Sequence, residues 1–236
     1  MIIDKKVGIA SGASSRLGVA LTNESIGDDH VATSLETPLR KGAFVVEDNL
    51  KIELIQNHFR EIMNILGLDL DDDSLSGTPY RVAKMYVKEI FGGLNPANKP
   101  DTKLFENKYH YNKMMIEKNI TLYSYCEHHF LPIIGKAHVA YFSSGKVIGL
   151  SKINRLAQYY ARRPQVQERL TNQIADGLKE ALQSDDVAVI IDAEHLCVRS
   201  RGIKDTNSST ITASYSGKFQ DEKNQMKFIS LVNNGK

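Results

Sequence analysis

The chain has 236 residues, 42% of them hydrophobic and 25% charged, enough apolar material for one large folded domain with an appendage. Its 30 Lys and Arg against 28 Asp and Glu leave a net charge of +2, so the molecule as a whole has no electrostatic reason to coat nucleic acid. One basic site for a phosphorylated small molecule remains compatible with that balance. No apolar run approaches a membrane span, and there is no fixed-period repeat or heptad seam.

In chain order, residues 1–33 are small and polar without sustained periodicity, which predicts a poorly ordered or loosely attached extension. The stretch Val7-Gly-Ile-Ala-Ser-Gly-Ala-Ser-Ser15 lacks the preceding strand and the Gly-Lys-Ser/Thr ending of a phosphate loop. Met1-Ile-Ile-Asp-Lys-Lys6 has too short an apolar run for a secretory signal, so a reducing, cytoplasmic compartment is expected. Residues 34–113 read as a helical region. Leu54, Ile55, His58, Phe59, Ile62, Met63 and Leu66 recur at three- and four-residue steps until Gly67. After an acidic linker at 69–73, Thr78-Pro79 offers an N-cap and a first-turn proline for a second helix reaching about Phe91, closed by Gly92-Gly93.

Residues 114–236 change character. Strand-like composition occupies 114–126, 133–142, 146–149, 188–198 and 208–216, and two helices, 152–161 and 165–183, are split by Pro164. In the second helix Val166, Leu170, Ile174, Leu178 and Leu182 repeat every fourth residue. The predicted class is α+β, with both helices covering one face of a mainly antiparallel sheet.

Both cysteines of the chain stand beside histidine, in Cys126-Glu-His-His129 and His195-Leu-Cys197. Cys126 and His129 are spaced to converge on one small cation across a turn, and thiolate with imidazole suits zinc better than magnesium or calcium. Cys197 would complete a three-ligand zinc site with its fourth position open, the arrangement of a hydrolytic rather than a structural zinc. If 195–198 is extended, His195 and Cys197 share a face because strand side chains alternate. Two other readings stand beside this one: small buried hydrophobes, or a disulfide between Cys126 and Cys197.

Ser151, Lys152 and Arg155 lie where a helix begins, with the serine read as N-cap, and unpaired N–H groups plus two cations make a polyphosphate site. Arg201, Arg81 and Lys84 are further cations that could join it, each equally readable as part of a solvated basic face. Glu168 falls in the first turn after Pro164, where the helix dipole favours a carboxylate and where it could also pair with the adjacent N1–H and amino donors of guanine.

Four segments, Cys126-Glu-His-His-Phe130, Val147-Ile-Gly-Leu-Ser-Lys-Ile-Asn-Arg155, Arg163-Pro-Gln-Val-Gln-Glu-Arg-Leu170 and His195-Leu-Cys-Val-Arg-Ser-Arg-Gly202, together resemble the type I GTP cyclohydrolase family. Leu35-Glu-Thr-Pro-Leu-Arg40 and Thr78-Pro-Tyr-Arg-Val-Ala-Lys-Met-Tyr86 extend the resemblance from about residue 34 onward; Arg199 departs from it, standing where lysine is expected. The resemblance implies a tunnelling fold, a four-stranded antiparallel sheet backed by two antiparallel helices, with N-terminal helices, making 114–236 the catalytic domain. It implies a homodecamer of stacked rings with sites at subunit junctions, and conversion of GTP and water to 7,8-dihydroneopterin triphosphate and formate, the entry to tetrahydrofolate and other pterins. Carried onto this sequence, it makes Cys126, His129 and Cys197 the Zn2+ ligands that activate water toward the purine C8, and His128 and His195 the proton-transfer residues. Ser151, Lys152, Arg155 and Arg201 would hold the triphosphate with Arg81 and Lys84 contributing, and Glu168 with Gln167 would read guanine. Rival expectations are another purine or pterin enzyme on this fold, or a zinc-stabilised assembly module without activity.

Overall fold

A computed structural model describes residues 33–143 and 145–234. Apart from Thr33, the extension expected over 1–33 lies outside the described residues. Helix α1 (Asp48–Ile65) ends as the sequence predicts, with Gly67 at φ 80°, where a side chain would be strained, and with Leu68 N–H donating to the Met63 carbonyl. Its apolar stripe is only half used. Met63 and Ile52 are buried, whereas Leu54, Ile62 and Leu66 are 47%, 49% and 70% exposed. A short helix α2 (Asp73–Ser76), capped by the Asp72 carboxylate, occupies the end of the expected acidic linker.

The second predicted helix starts as α3 (Thr78–Lys84) and continues as a π-helical stretch, Met85–Ile90. Gly77, not Thr78, is its N-cap; the Thr78 hydroxyl instead accepts from Arg81 Nη2 at 2.9 Å. Gly93 then passes so close to a later helix that a Cβ would lie 2.0 Å from the Tyr159 carbonyl oxygen. Its N–H donates to the Arg162 carbonyl and its own carbonyl accepts from Arg163 Nε, both at 2.9 Å, so the helical region is tied to the carboxyl end of that later helix.

Strands β1 (Leu104–Glu106), β2 (Met114–Cys126), β3 (Pro132–Phe142) and β4 (Lys146–Ile148) come next. The sequence reading missed β1, which is three residues long. It pairs with β4 in a separate two-stranded sheet, so β4 does not join the main one as expected. Helix α4 (Leu150–Ala161), the two-residue β5 (Pro164–Gln165) and α5 (Gln167–Leu182) precede β6 (Val187–His195), a helical turn α6 (Leu196–Arg199), β7 (Thr210–Tyr215) and α7 (Glu222–Asn233). The main sheet runs β5-β2-β3-β6-β7, with β2, β3, β6 and β7 antiparallel and β5 added in parallel to the end of β2. This is the α+β tunnelling fold.

Alternation along the strands sorts two cores. Leu122, Val139, Tyr141, Val187, Val189 and Ile191 meet Ile153 and Leu156 of α4 and Leu170, Ile174, Leu178 and Leu182 of α5 on one face. The alternate residues Ala140, Ala188 and Ile190 meet Phe219 and Phe228 on the other, where α7, absent from the sequence reading, covers part of the sheet. No helix among the described residues is long and apolar enough to cross a membrane.

Candidate metal centre and active site

Residues 126–131 join β2 to β3 in a closed turn. Cys126 N–H donates to the Leu131 carbonyl and Phe130 N–H to the Cys126 carbonyl, both at 2.8 Å. Phe130 sits at φ 54°, a left-handed conformation that costs a bulky residue on the order of 1 kcal/mol. Its ring is held against Phe91 at 5.0 Å and Tyr86 at 6.4 Å between centroids, which offsets that cost. The turn therefore has its own clamps on the backbone and on its last aromatic.

Sheet register brings the two cysteine motifs together. Tyr125 pairs with Pro132 across β2 and β3, and Ile133 pairs with His195 across β3 and β6, so the ends of β2 and β6 flank the start of the same strand. The expected strand does not run through Cys197. It stops at His195, and Cys197 lies in α6, so helical winding rather than strand alternation aims its thiol. The ligand atoms of Cys126, His129 and Cys197 nevertheless all lie within 4.8 Å of one another. Cys126 is buried, Cys197 half-buried and His129 exposed, and both cysteines are free thiols rather than a disulfide.

The donor set fits a borderline-soft divalent cation. Burial raises the Cys197 thiol, with neighbouring Cys126 adding to the rise, because a second anionic sulfur is resisted in this site without a cation to share. Two sulfurs and one imidazole are a donor set that zinc would accept, and these three residues would hold it. His128 and His129 both turn Nδ1 toward Cys126 Sγ, at 3.7 and 3.9 Å. Arg201 reaches the same place, its Nη1 2.8 Å from His129 Nε2.

His195 is positioned by Gln167. The Gln167 side-chain amide donates to the carbonyls of Ile191 (3.3 Å) and Thr210 (2.8 Å) and to the Thr212 hydroxyl (3.1 Å). Carbonyls only accept, so the amide orientation is fixed and Oε1 must face His195 Nε2, 2.8 Å away. In the neutral ring Nε2 then carries the proton and Nδ1 the lone pair. Burial lowers the His195 pKa and favours that neutral form, opposed by the nearby Glu168 carboxylate. Of the two expected guanine readers, Gln167 is buried with its side chain bonded inside the protein, and Glu168 is exposed.

The expected phosphate residues divide. Arg201 stands at the metal group. Ser151 is not an N-cap, because α4 begins at Leu150 and is capped by Gly149; Ser151 and Arg155 are exposed on its first turns and Lys152 half-buried. Arg155 lines a cavity of about 580 Å3 with Asp48, Lys88, Asn154, Gln158 and Arg162, whose walls contain none of the three ligands. Arg81 bends back to the Ser74 carbonyl and the Thr78 hydroxyl, and Lys84 is exposed on the same helix. Arg199 pairs with Glu194 beside the site.

Sequence reasoning missed Glu127 and Arg169, which are joined in an ion pair beside the ligands. The available signal was a cation at position 169, next to Leu170 on a face that must be buried. A charge there demands a partner.

A sulfur-and-imidazole group able to hold a metal at one end of an α+β sheet, with a positioned histidine beside it, places the molecule in the tunnelling-fold class. Residues 55–233 match the family model described as GTP cyclohydrolase I. The chain is 58% identical over 209 residues to GTP cyclohydrolase 1 of Flavobacterium johnsoniae, covering 89% of this chain and 94% of that protein. It is 50% identical over 214 residues to the Citrobacter koseri enzyme of that name (90% and 95% covered) and 51% over 208 residues to that of Salmonella arizonae (88% and 94%). The chain belongs to the GTP cyclohydrolase I family and is an enzyme.

Proposed function

We propose that this enzyme converts GTP and water to 7,8-dihydroneopterin triphosphate and formate, the first step of tetrahydrofolate and pterin biosynthesis, with Zn2+ held by Cys126, His129 and Cys197. The observation that carries the reading is the convergence of those three ligand atoms from two distant segments within 4.8 Å. Zinc bound there supplies a Lewis acid that lowers the pKa of water toward neutrality.

The chain's own residues do the rest. His195, neutral and with its Nδ1 lone pair set by Gln167, accepts and returns a proton at the opening imidazole ring of the purine. His128, beside Cys126, serves a second proton transfer during hydrolysis or the later ribose steps. Glu168 pairs with guanine N1–H and its amino group; adenine presents no such pair and would leave the carboxylate uncompensated. Ser151, Lys152, Arg155 and Arg201 hold the triphosphate, with Arg81 and Lys84 contributing to the positive field.

The working form is a homo-oligomer, a decamer with sites at subunit junctions. Three observations support assembly: the exposed Leu54, Ile62 and Leu66 of α1, the edge position of β7, and an Arg155 cavity whose walls contain none of the three ligands. A second copy supplies the missing side of each site under this reading. Placement in the cytoplasm follows from two thiols that must stay reduced to bind metal.

Incubating reduced protein with GTP, with and without a chelator, tests the assignment. Loss of the purine C8 proton by NMR and stoichiometric formate, both abolished by chelation and restored by zinc, are expected. Full turnover in protein shown by elemental analysis to contain no transition metal would overturn it.

A further inference from the structure

Arg169 lies on the buried side of α5 and is only 5% exposed. All three directions of its guanidinium are used: Nη1 donates to Glu127 Oε2 at 2.6 Å, Nη2 to Glu127 Oε1 at 3.2 Å, and Nε to the Ser34 carbonyl at 2.8 Å. Glu127 is the residue between the metal ligand Cys126 and the His128-His129 pair. Its backbone N–H is also taken, by the Gln165 carbonyl at 3.0 Å. We infer that Arg169 is a positioning residue for the metal centre, fixing through Glu127 the turn that presents Cys126 and His129 relative to the helix that carries Gln167 and Glu168.

A residue held by main chain and side chain at once cannot rotate about its own backbone, so the ligands on either side of it share one frame. A two-bond fork sets the plane of the carboxylate as well as its distance, which a lysine ammonium cannot do. The fork is buttressed by a closed circuit. Gln165 Nε2 donates to Gln173 Oε1 at 2.8 Å, and Gln173 Nε2 donates to Glu36 Oε2 at 2.6 Å. Ser34 and Glu36 thus bring residues 34–37, with Thr37 buried, against the same stretch of α5. That gives the Leu35-Glu-Thr-Pro segment a physical task, supporting the metal turn from behind. A buried ion pair is a weak contributor to net stability, whereas groups that orient metal ligands change metal affinity by about 10–100-fold.

This inference rests on the zinc reading of the site, and its test separates the two. In the full-length protein, zinc affinity is measured by competition with a chromophoric chelator, and Co2+ is titrated while its thiolate charge-transfer and d–d bands are recorded. Arg169→Lys and Glu127→Gln are each expected to weaken zinc about 10–100-fold and to alter the cobalt bands, with far-UV circular dichroism unchanged. The double variant should be no worse than the weaker single one, because both remove the same link. Ile174→Val, a core change on the same helix, should lower thermal stability and leave affinity and bands alone. Wild-type affinity and bands in the two pair variants overturn the inference; should Arg169→Lys fail to fold, the near-isosteric Glu127→Gln decides it alone. Absence of Zn2+ or Co2+ uptake by the wild type would overturn the zinc reading and this inference with it.

Discussion

The turn at 126–131 and the amino end of α4 were both picked out by short sequence motifs, yet the fold treats them differently. The turn is clamped by backbone bonds, by Phe91 against Phe130, and by Arg169 on Glu127, and it delivers its thiol and imidazole to Cys197 from the same chain. The α4 end carries Ser151 and Arg155 exposed, and Arg155 lines a cavity whose walls contain none of the three ligands. Metal binding demands fixed ligand distances, and the three candidate ligand atoms converge within one chain; under the proposed function a flexible triphosphate tolerates cations delivered from elsewhere, and they come across a junction.

Breaking the ligand group should have the largest effect. Cys197→Ser is expected to lose bound zinc by elemental analysis and to lower GTP turnover by about three powers of ten, the scale of several kcal/mol of lost transition-state stabilisation. Next, Glu168→Gln, in steady-state kinetics, should reduce GTP turnover by about one to three powers of ten while zinc content stays at the wild-type level, since only a charge-assisted pair to the base is lost. At the α4 end, Arg155→Ala should raise the KM for GTP about 10–100-fold. If sites are shared between copies, refolding an equimolar mixture of Arg155→Ala and Cys126→Ser chains should restore turnover with the wild-type KM, which neither chain shows alone; no such recovery would confine each site to one chain. Ile62→Glu, which puts a charge on the exposed α1 stripe, should shift sedimentation toward smaller species. The smallest effect concerns only the scaffold. Gln183 closes α5 at φ 52°, so Gln183→Gly should stabilise by about 0.5 kcal/mol, a rise of about 1–2 °C in melting temperature, with zinc content unchanged.

Legibility followed the range of the interactions. The α5 stripe Leu170, Ile174, Leu178 and Leu182 was readable because a helix repeats its buried face locally, and all four are buried. The α1 stripe had the same period, but Leu54 and Ile62 stay exposed in one chain, because period reveals a face and not what covers it. Cys197 was correctly grouped with Cys126 and His129 through the wrong local geometry: a β-branched run argued for a strand, and the chain winds into α6 after His195 instead. The resemblance makes Gln167 a guanine reader with Glu168, but no local pattern shows that its amide bonds β6 and β7, contacts made across the sheet.

By itself the sequence determined the α+β class, the main strands and helices, the family, and the three residues able to hold zinc, because side-chain chemistry and local periodicity are written residue by residue. Only the tertiary structure decided that Gln167 sets the His195 ring, that Arg169 grips Glu127, and that Arg155 lines a cavity whose walls contain none of the three ligands. Those outcomes depend on register and on which donors are left facing which acceptors once the sheet closes, and such pairings between distant segments have no local signature.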